Sequence, residues 1–146
     1  MSGPYVFDTS IFIHIIRKAL PSESVVRPLS AGRAYLSSVV AHELWAGTRT
    51  RDDAADLATL IRAFESVGAI LTPTHEDWIA AGRLITRYQR LYGAMAPRDH
   101  SHDVLIVLCA AQVGGTVLTA NPRHMDRWAR LARRAGRTIT VESMVR

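Results

Sequence analysis

At 146 residues with a single cysteine, Cys109, the chain is read as one domain, 1–146, large enough to bury a core and without an internal disulfide. No apolar run approaches the roughly 20 residues that span a bilayer, and the N-terminal residues carry no signal-peptide pattern, so a membrane role is excluded and a cytoplasmic protein is expected. The net charge of +5 is almost entirely arginine, Lys18 being the only lysine; that suits a nucleic-acid or acidic-protein partner, although GC-rich coding produces the same bias.

Taken in chain order, residues 4–7 ("PYVF") read as a strand and 10–19 as an apolar helix. Between them stand Asp8, Thr9 and Ser10, three strong helix-capping residues where a helix needs only one. Residues 33–37 read as a strand and 39–47 as a helix. "DDAADLATLIRAFESVG" follows, with Leu57, Leu60, Ile61, Phe64 and Val67 at helical spacing and Gly68 as a stop. "AILT" is a third strand. Thr74 with Asp77 three positions on approximates a capping box for a helix through Leu91. A loop covers 92–100, a helix 101–113, a fourth strand "TVLTA", a helix 125–135, and a last strand "TITV". Strands separated by helices predict a mostly parallel sheet of four to five strands with helices on both faces. Cys109, inside "VLIVLCAAQVGG", is read as a small core residue.

In a right-handed β-α-β unit each helix begins at the carboxyl edge of the sheet, where open parallel sheets bind ligands. That rule sends Asp8, Asp103 and Asn121 to one rim, with Glu43 about one turn into its helix. Each has a structural alternative. Asp8 can be a cap, Glu43 a solvated helix residue, Asp103 a partner for its helix dipole and Asn121 a turn residue. The coincidence carries more weight, because three carboxylates in one crevice repel each other unless a cation compensates. Oxygen-rich sets suit Mg²⁺ or Mn²⁺. Arg123, Arg127, Arg130 and Arg134 recur at helical spacing and form either a basic stripe suited to nucleic acid or a solvated face. His100 and His102 in "RDHSHD" fall short of the four ligands zinc usually takes and are read as loop histidines near the site.

"YVFDTSIFI", "LSSVVAHELWAG" and "HDVLIVLCAAQVGGTVLTANPRHM" together resemble the PIN-domain ribonucleases, specifically VapC-type toxins of bacterial toxin–antitoxin pairs, over essentially the whole chain. The resemblance implies a PIN-like α/β/α sandwich and a Mg²⁺- or Mn²⁺-dependent endoribonuclease that hydrolyses RNA with a metal-activated water. It implies that Asp8, Glu43 and Asp103 bind the metal, with Ser10 nearby. A homodimer silenced by a VapB-type antitoxin is implied as well, the apolar helices around 10–19 and 53–67 offering places for docking. Where the family often places a fourth acid or an asparagine this chain has Asn121, which adds no charge, and Asp99 either supplies that charge or is a loop residue. The alternative is a catalytically weak or inactive PIN-fold binding or regulatory module. A receiver-type domain would need an acidic pair after the first strand and a lysine near a late one, and neither is present.

Overall fold

Strand β1 (Tyr5–Phe7) is buried along its whole length, as an apolar run with no alternation demands: it must be covered on both faces. The computed structural model, which describes residues 3–97 and 100–144, places it at the middle of a five-stranded sheet ordered β3-β2-β1-β4-β5. The other strands are β2 (Ala34–Ser37), β3 (Ile70–Leu71), β4 (Thr116–Thr119) and β5 (Thr140–Ser143). Every pairing is parallel, with Val6 between Tyr35 of β2 and Val117 of β4.

The helices are α1 (Thr9–Ile16), α2 (Glu23–Ser30), α3 (Ser38–Ala46), α4 (Arg51–Ser66), α5 (His75–Tyr92), α6 (Ser101–Gln112) and α7 (Pro122–Arg134). The chain winds from β1 outward to β3, then returns past β1 to β4 and β5. Right-handed crossovers therefore put α1–α4 on one face and α5–α7 on the other, which is the sandwich expected.

Local chemistry sets the helix ends. The Thr74 hydroxyl accepts from the Asp77 amide while the Asp77 carboxylate accepts from the Thr74 amide, each at 3.1 Å, a complete capping box. Ser37 and Thr50 cap α3 and α4 in the same manner with one bond each. Helix α6 is apolar on every side, Val104 to Ala110 all being buried, the pattern of a helix enclosed by sheet and neighbours. Cys109 lies within it; burial pushes its thiol up to about 11, although the Ser37 hydroxyl, 3.4 Å away, pulls the other way. Across the sheet Phe7, Phe12 and Phe64 meet edge to face at 6.0 and 6.5 Å, the favoured arrangement for aromatic quadrupoles.

Helix α2 is absent from the elements the sequence predicts. Pro28 sits inside it and only Val25 is buried, so the stretch carries a breaker and almost no apolar periodicity. No helix among the described residues is long and apolar enough to cross a membrane.

Candidate active site

Strand order reverses at β1 and β4, and the carboxyl ends of these two strands open a crevice. The ladder continues one residue past β1, the Asp8 amide donating to the Leu118 carbonyl at 3.0 Å. Asp8 then caps α1. Its Oδ1 accepts from the Ser10 amide at 2.7 Å and from the Ser10 hydroxyl, and its Oδ2 accepts from the Thr119 hydroxyl at 2.5 Å. Both hydroxyls are themselves held, Ser10 Oγ accepting from the Ala120 amide at 3.0 Å and Thr119 Oγ1 from the Asn121 amide at 2.9 Å. The surplus of capping residues after β1 is thus resolved: Asp8 caps, Ser10 steadies the cap, and Thr9 serves another acid.

That acid is Glu43 of α3, whose Oε1 accepts from the Thr9 hydroxyl at 3.1 Å. Burial raises its pKa above the ordinary glutamate value, and the negative charges of Asp103 and Asp8 push the same way. The Thr9 hydroxyl and His102, whose Nδ1 lies 3.9 Å from Oε2, oppose the rise. Asp103 enters from the first turn of α6 with Oδ2 2.8 Å from His124 Nε2. Asn121 precedes α7 without capping it by its side chain. Asp8, Ser10, Glu43, Asp103, Asn121 and His124 line one cleft of about 180 Å³.

Of the expected residues, the structure brings Asp8, Ser10, Glu43, Asp103 and Asn121 to this cleft. Asp99 lies outside the described residues. Arg123, Arg127, Arg130 and Arg134 of α7 are all exposed. Arg127 reaches the Tyr88 hydroxyl at 3.3 Å and covers the Tyr92 ring, while Arg130 pairs with Asp126 at 2.9 Å. Sequence reasoning missed Thr9, Thr119 and His124. The first two are ordinary hydroxyl residues whose partners lie 34 and 111 positions away. The histidines also divide. His102 turns toward Glu43 and His42, whereas His100 joins Asp103 and His124 with ligand atoms all within 4.8 Å of one another.

The cleft supplies carboxylates, a hydroxyl and an amide, an oxygen-donor set that fits a hard dication such as Mg²⁺ or Mn²⁺. Its acids have no arginine or lysine paired with them among the described residues, and Glu43's pKa is raised first by burial and further by the charges of Asp103 and Asp8.

A family model described as PIN domain matches residues 5–132. Three solved structures are similar, each over 95% of this chain. The DNA-bound VapBC from Salmonella typhimurium aligns with a TM-score of 0.64 at 21% identity over 96% of that chain. VapBC2 from Rickettsia felis bound to a DNA fragment from its promoter gives 0.66 at 18% over 97%. FitAB bound to an IR36 DNA fragment gives 0.65 at 17% over 94%. At these identities the likeness establishes the fold. No curated protein matches the chain significantly in sequence.

Proposed function

The chain belongs to the PIN-domain family, and from that premise we propose that it is a Mg²⁺- or Mn²⁺-dependent endoribonuclease, the toxin of a VapBC-type toxin–antitoxin pair. The observation that carries this reading is the convergence of Asp8, Glu43 and Asp103 on one cleft at the sheet's switch point with no arginine or lysine paired with them among the described residues. A bound divalent ion would supply a polarised water and neutralise charge gathering on the scissile phosphate. The chain's own part is positioning. Thr119 and Ser10 fix both oxygens of Asp8, Thr9 fixes Glu43, and His124 orients Asp103. Residues held in this way need little reorganisation during the reaction. Asn121 offers an amide dipole at the rim, and the exposed arginines of α7 offer donors for RNA phosphates.

The toxin–antitoxin assignment draws support from the named partners of the similar structures, VapBC and FitAB complexes. A groove of about 360 Å³ lies between α1, α3 and α4, lined by Ile13, Ile16 and Leu57, by Arg17 and Arg49, and by Glu43. An apolar antitoxin segment seated there would stand directly beside the acids. A homodimer belongs to the same proposal. Asn121, neutral where a fourth acid would stand, favours the second reading, a weak or inactive binding module. Incubating purified chain with transfer, ribosomal and messenger RNA, with and without Mn²⁺, beside Asp8→Ala decides between them. Metal-dependent cleavage lost in the variant supports the nuclease, and no cleavage of any RNA by the parent supports the module.

A further inference from the structure

The closest grouping of metal-binding side chains among the described residues is not the acid trio but His100, Asp103 and His124. His100 stands at the N-cap position of α6 and makes no side-chain capping bond; Asp103 is three residues on, on the same face; His124 comes from the first turn of α7. The His124 ring is already directed at the carboxylate, Nε2 to Oδ2 at 2.8 Å. The His100 Nδ1 is buried with no hydrogen-bond partner, a polar atom left unsatisfied where most find one. Its ring is held in place by stacking against Tyr88 at 6.1 Å, and lies 6.0 Å from Trp128 and 5.4 Å from His124.

We infer that His100, Asp103 and His124 form a second metal site, one that takes a divalent transition ion preferring imidazole, with Zn²⁺ the best matched. Two imidazoles and one carboxylate make up a three-ligand set that leaves positions open to solvent or substrate. Mg²⁺ does not seek nitrogen, so the two sites differ in what they select. They share Asp103, and His124 also borders the acid cleft, so the ion sits beside the reaction centre rather than at a remote structural position. The ring packing explains how the site stays formed: Tyr88 and Trp128 stack at 4.5 Å beneath His100, and the approach of His124 costs only the exchange of one hydrogen bond for a coordinate bond. The inference does not depend on the chain cutting RNA, so its failure leaves the nuclease reading untouched, and the reverse holds.

The test is titration of the untagged, full-length protein with Co²⁺, whose visible ligand-field bands report nitrogen coordination, and with Zn²⁺ against a chromophoric chelator. The expected result is one tightly bound ion per chain, displaced by Zn²⁺ but not by excess Mg²⁺. His100→Gln and His124→Gln should each weaken it by at least about 10- to 100-fold, the range that even outer partners of ligands command. Asp8→Asn should leave the bands in place. Circular dichroism checks that each variant is folded. A measurement needing no variant runs beside it: in long-range ¹H–¹⁵N spectra of the parent chain, two of its six histidines should shift with stoichiometric Zn²⁺. Bands that survive both histidine changes, bands lost in Asp8→Asn, or a parent whose imidazoles ignore Zn²⁺ would each overturn the inference.

Discussion

Two aspartates among the described residues are buried, Asp8 at 5% exposure and Asp77 at 2%, and both begin as helix caps, yet their surroundings are opposite. Asp77 is answered on every side: its Oδ1 accepts from Arg137 at 3.0 Å, and its Oδ2 accepts from Gln112 at 2.7 Å and from the Thr74 amide at 3.1 Å. Burial would raise its pKa, but the Thr74 amide, Gln112 and Arg137 outweigh that and hold it below the ordinary aspartate value. Asp8 receives two hydroxyls and an amide and no cation, and two more carboxylates share its cleft. A buried acid whose counter-charge is built into the fold is structural. One without a counter-charge built into the fold is a candidate binding residue.

The largest effect that could break this contrast is on catalysis. Asp8→Asn is expected to lower metal-dependent RNA cleavage by about a hundredfold or more, given that outer partners of metal ligands alone command roughly 10–100-fold. Its urea midpoint in EDTA should stay level or rise, since one charge leaves a repulsive set. Fluorescence-monitored unfolding beside a cleavage assay reads both. A variant that cleaves at the parental rate removes Asp8 from the site.

Asp77→Ala should invert that pattern. It strands Arg137 and opens the capping box, for an expected loss of about 3 kcal/mol, with Arg137's partial exposure keeping the cost at the low end for a broken buried pair. Cleavage measured well below the lowered melting temperature should persist. Loss of activity at full folding would mean that the two acids are not separate in function.

The pH dependence of stability sharpens the comparison, because the two regions give opposite slopes. Asp77, with its pKa depressed, contributes stability that is complete above the ordinary aspartate value of 3.8 and is lost as pH falls below it. Glu43, with its pKa raised, contributes stability that is complete below the ordinary value of 4.5 and is lost as pH rises through its folded pKa. Urea denaturation in EDTA from pH 3 to 8 should therefore show Asp77→Asn losing the steep acid limb, and Glu43→Gln losing the decline that sets in above the ordinary glutamate value of 4.5. Parallel curves for Glu43→Gln and parent would mean that the cleft's charges do not strain the fold.

The smallest effect concerns the arginines of α7. Replacing Arg127 and Arg130 by Gln should weaken binding of all RNAs alike and flatten its salt dependence, by about 0.7 log unit for each single-strand phosphate that an arginine no longer neutralises. Filter binding at several salt concentrations measures this. An unchanged slope would leave the pair to Tyr88, Tyr92 and Asp126.

Sequence legibility follows the same division. The capping box at Thr74 and Asp77, the apolar run of α6 and the rim positions of Asp8, Asp103 and Asn121 are local patterns or consequences of handedness, and they could be read from the chain. Whether a capping aspartate is structural or functional could not. For Asp77 the deciding partner is Arg137, 60 residues away, and for Asp8 the deciding neighbours are Glu43 and Asp103, brought into its cleft from α3 and α6. His124 likewise meets Asp103 only because α6 and α7 pack together, so no spacing near "RDHSHD" announces it. Helix α2 escaped for a different reason: its proline argues locally against the helix that its surroundings impose.

Cys109 turns the core into something that can be timed. It is the sole thiol, sealed at 0% exposure in the middle of α6, and at about 11 its pKa leaves only about one molecule in a thousand ionised at pH 8. A thiol reagent must therefore wait for the helix to lift from the sheet. The labelling rate then serves as a clock of how often the native chain opens, without any engineered probe. Because α6 also carries Asp103, a ligand that draws this helix down at the cleft should slow the same clock.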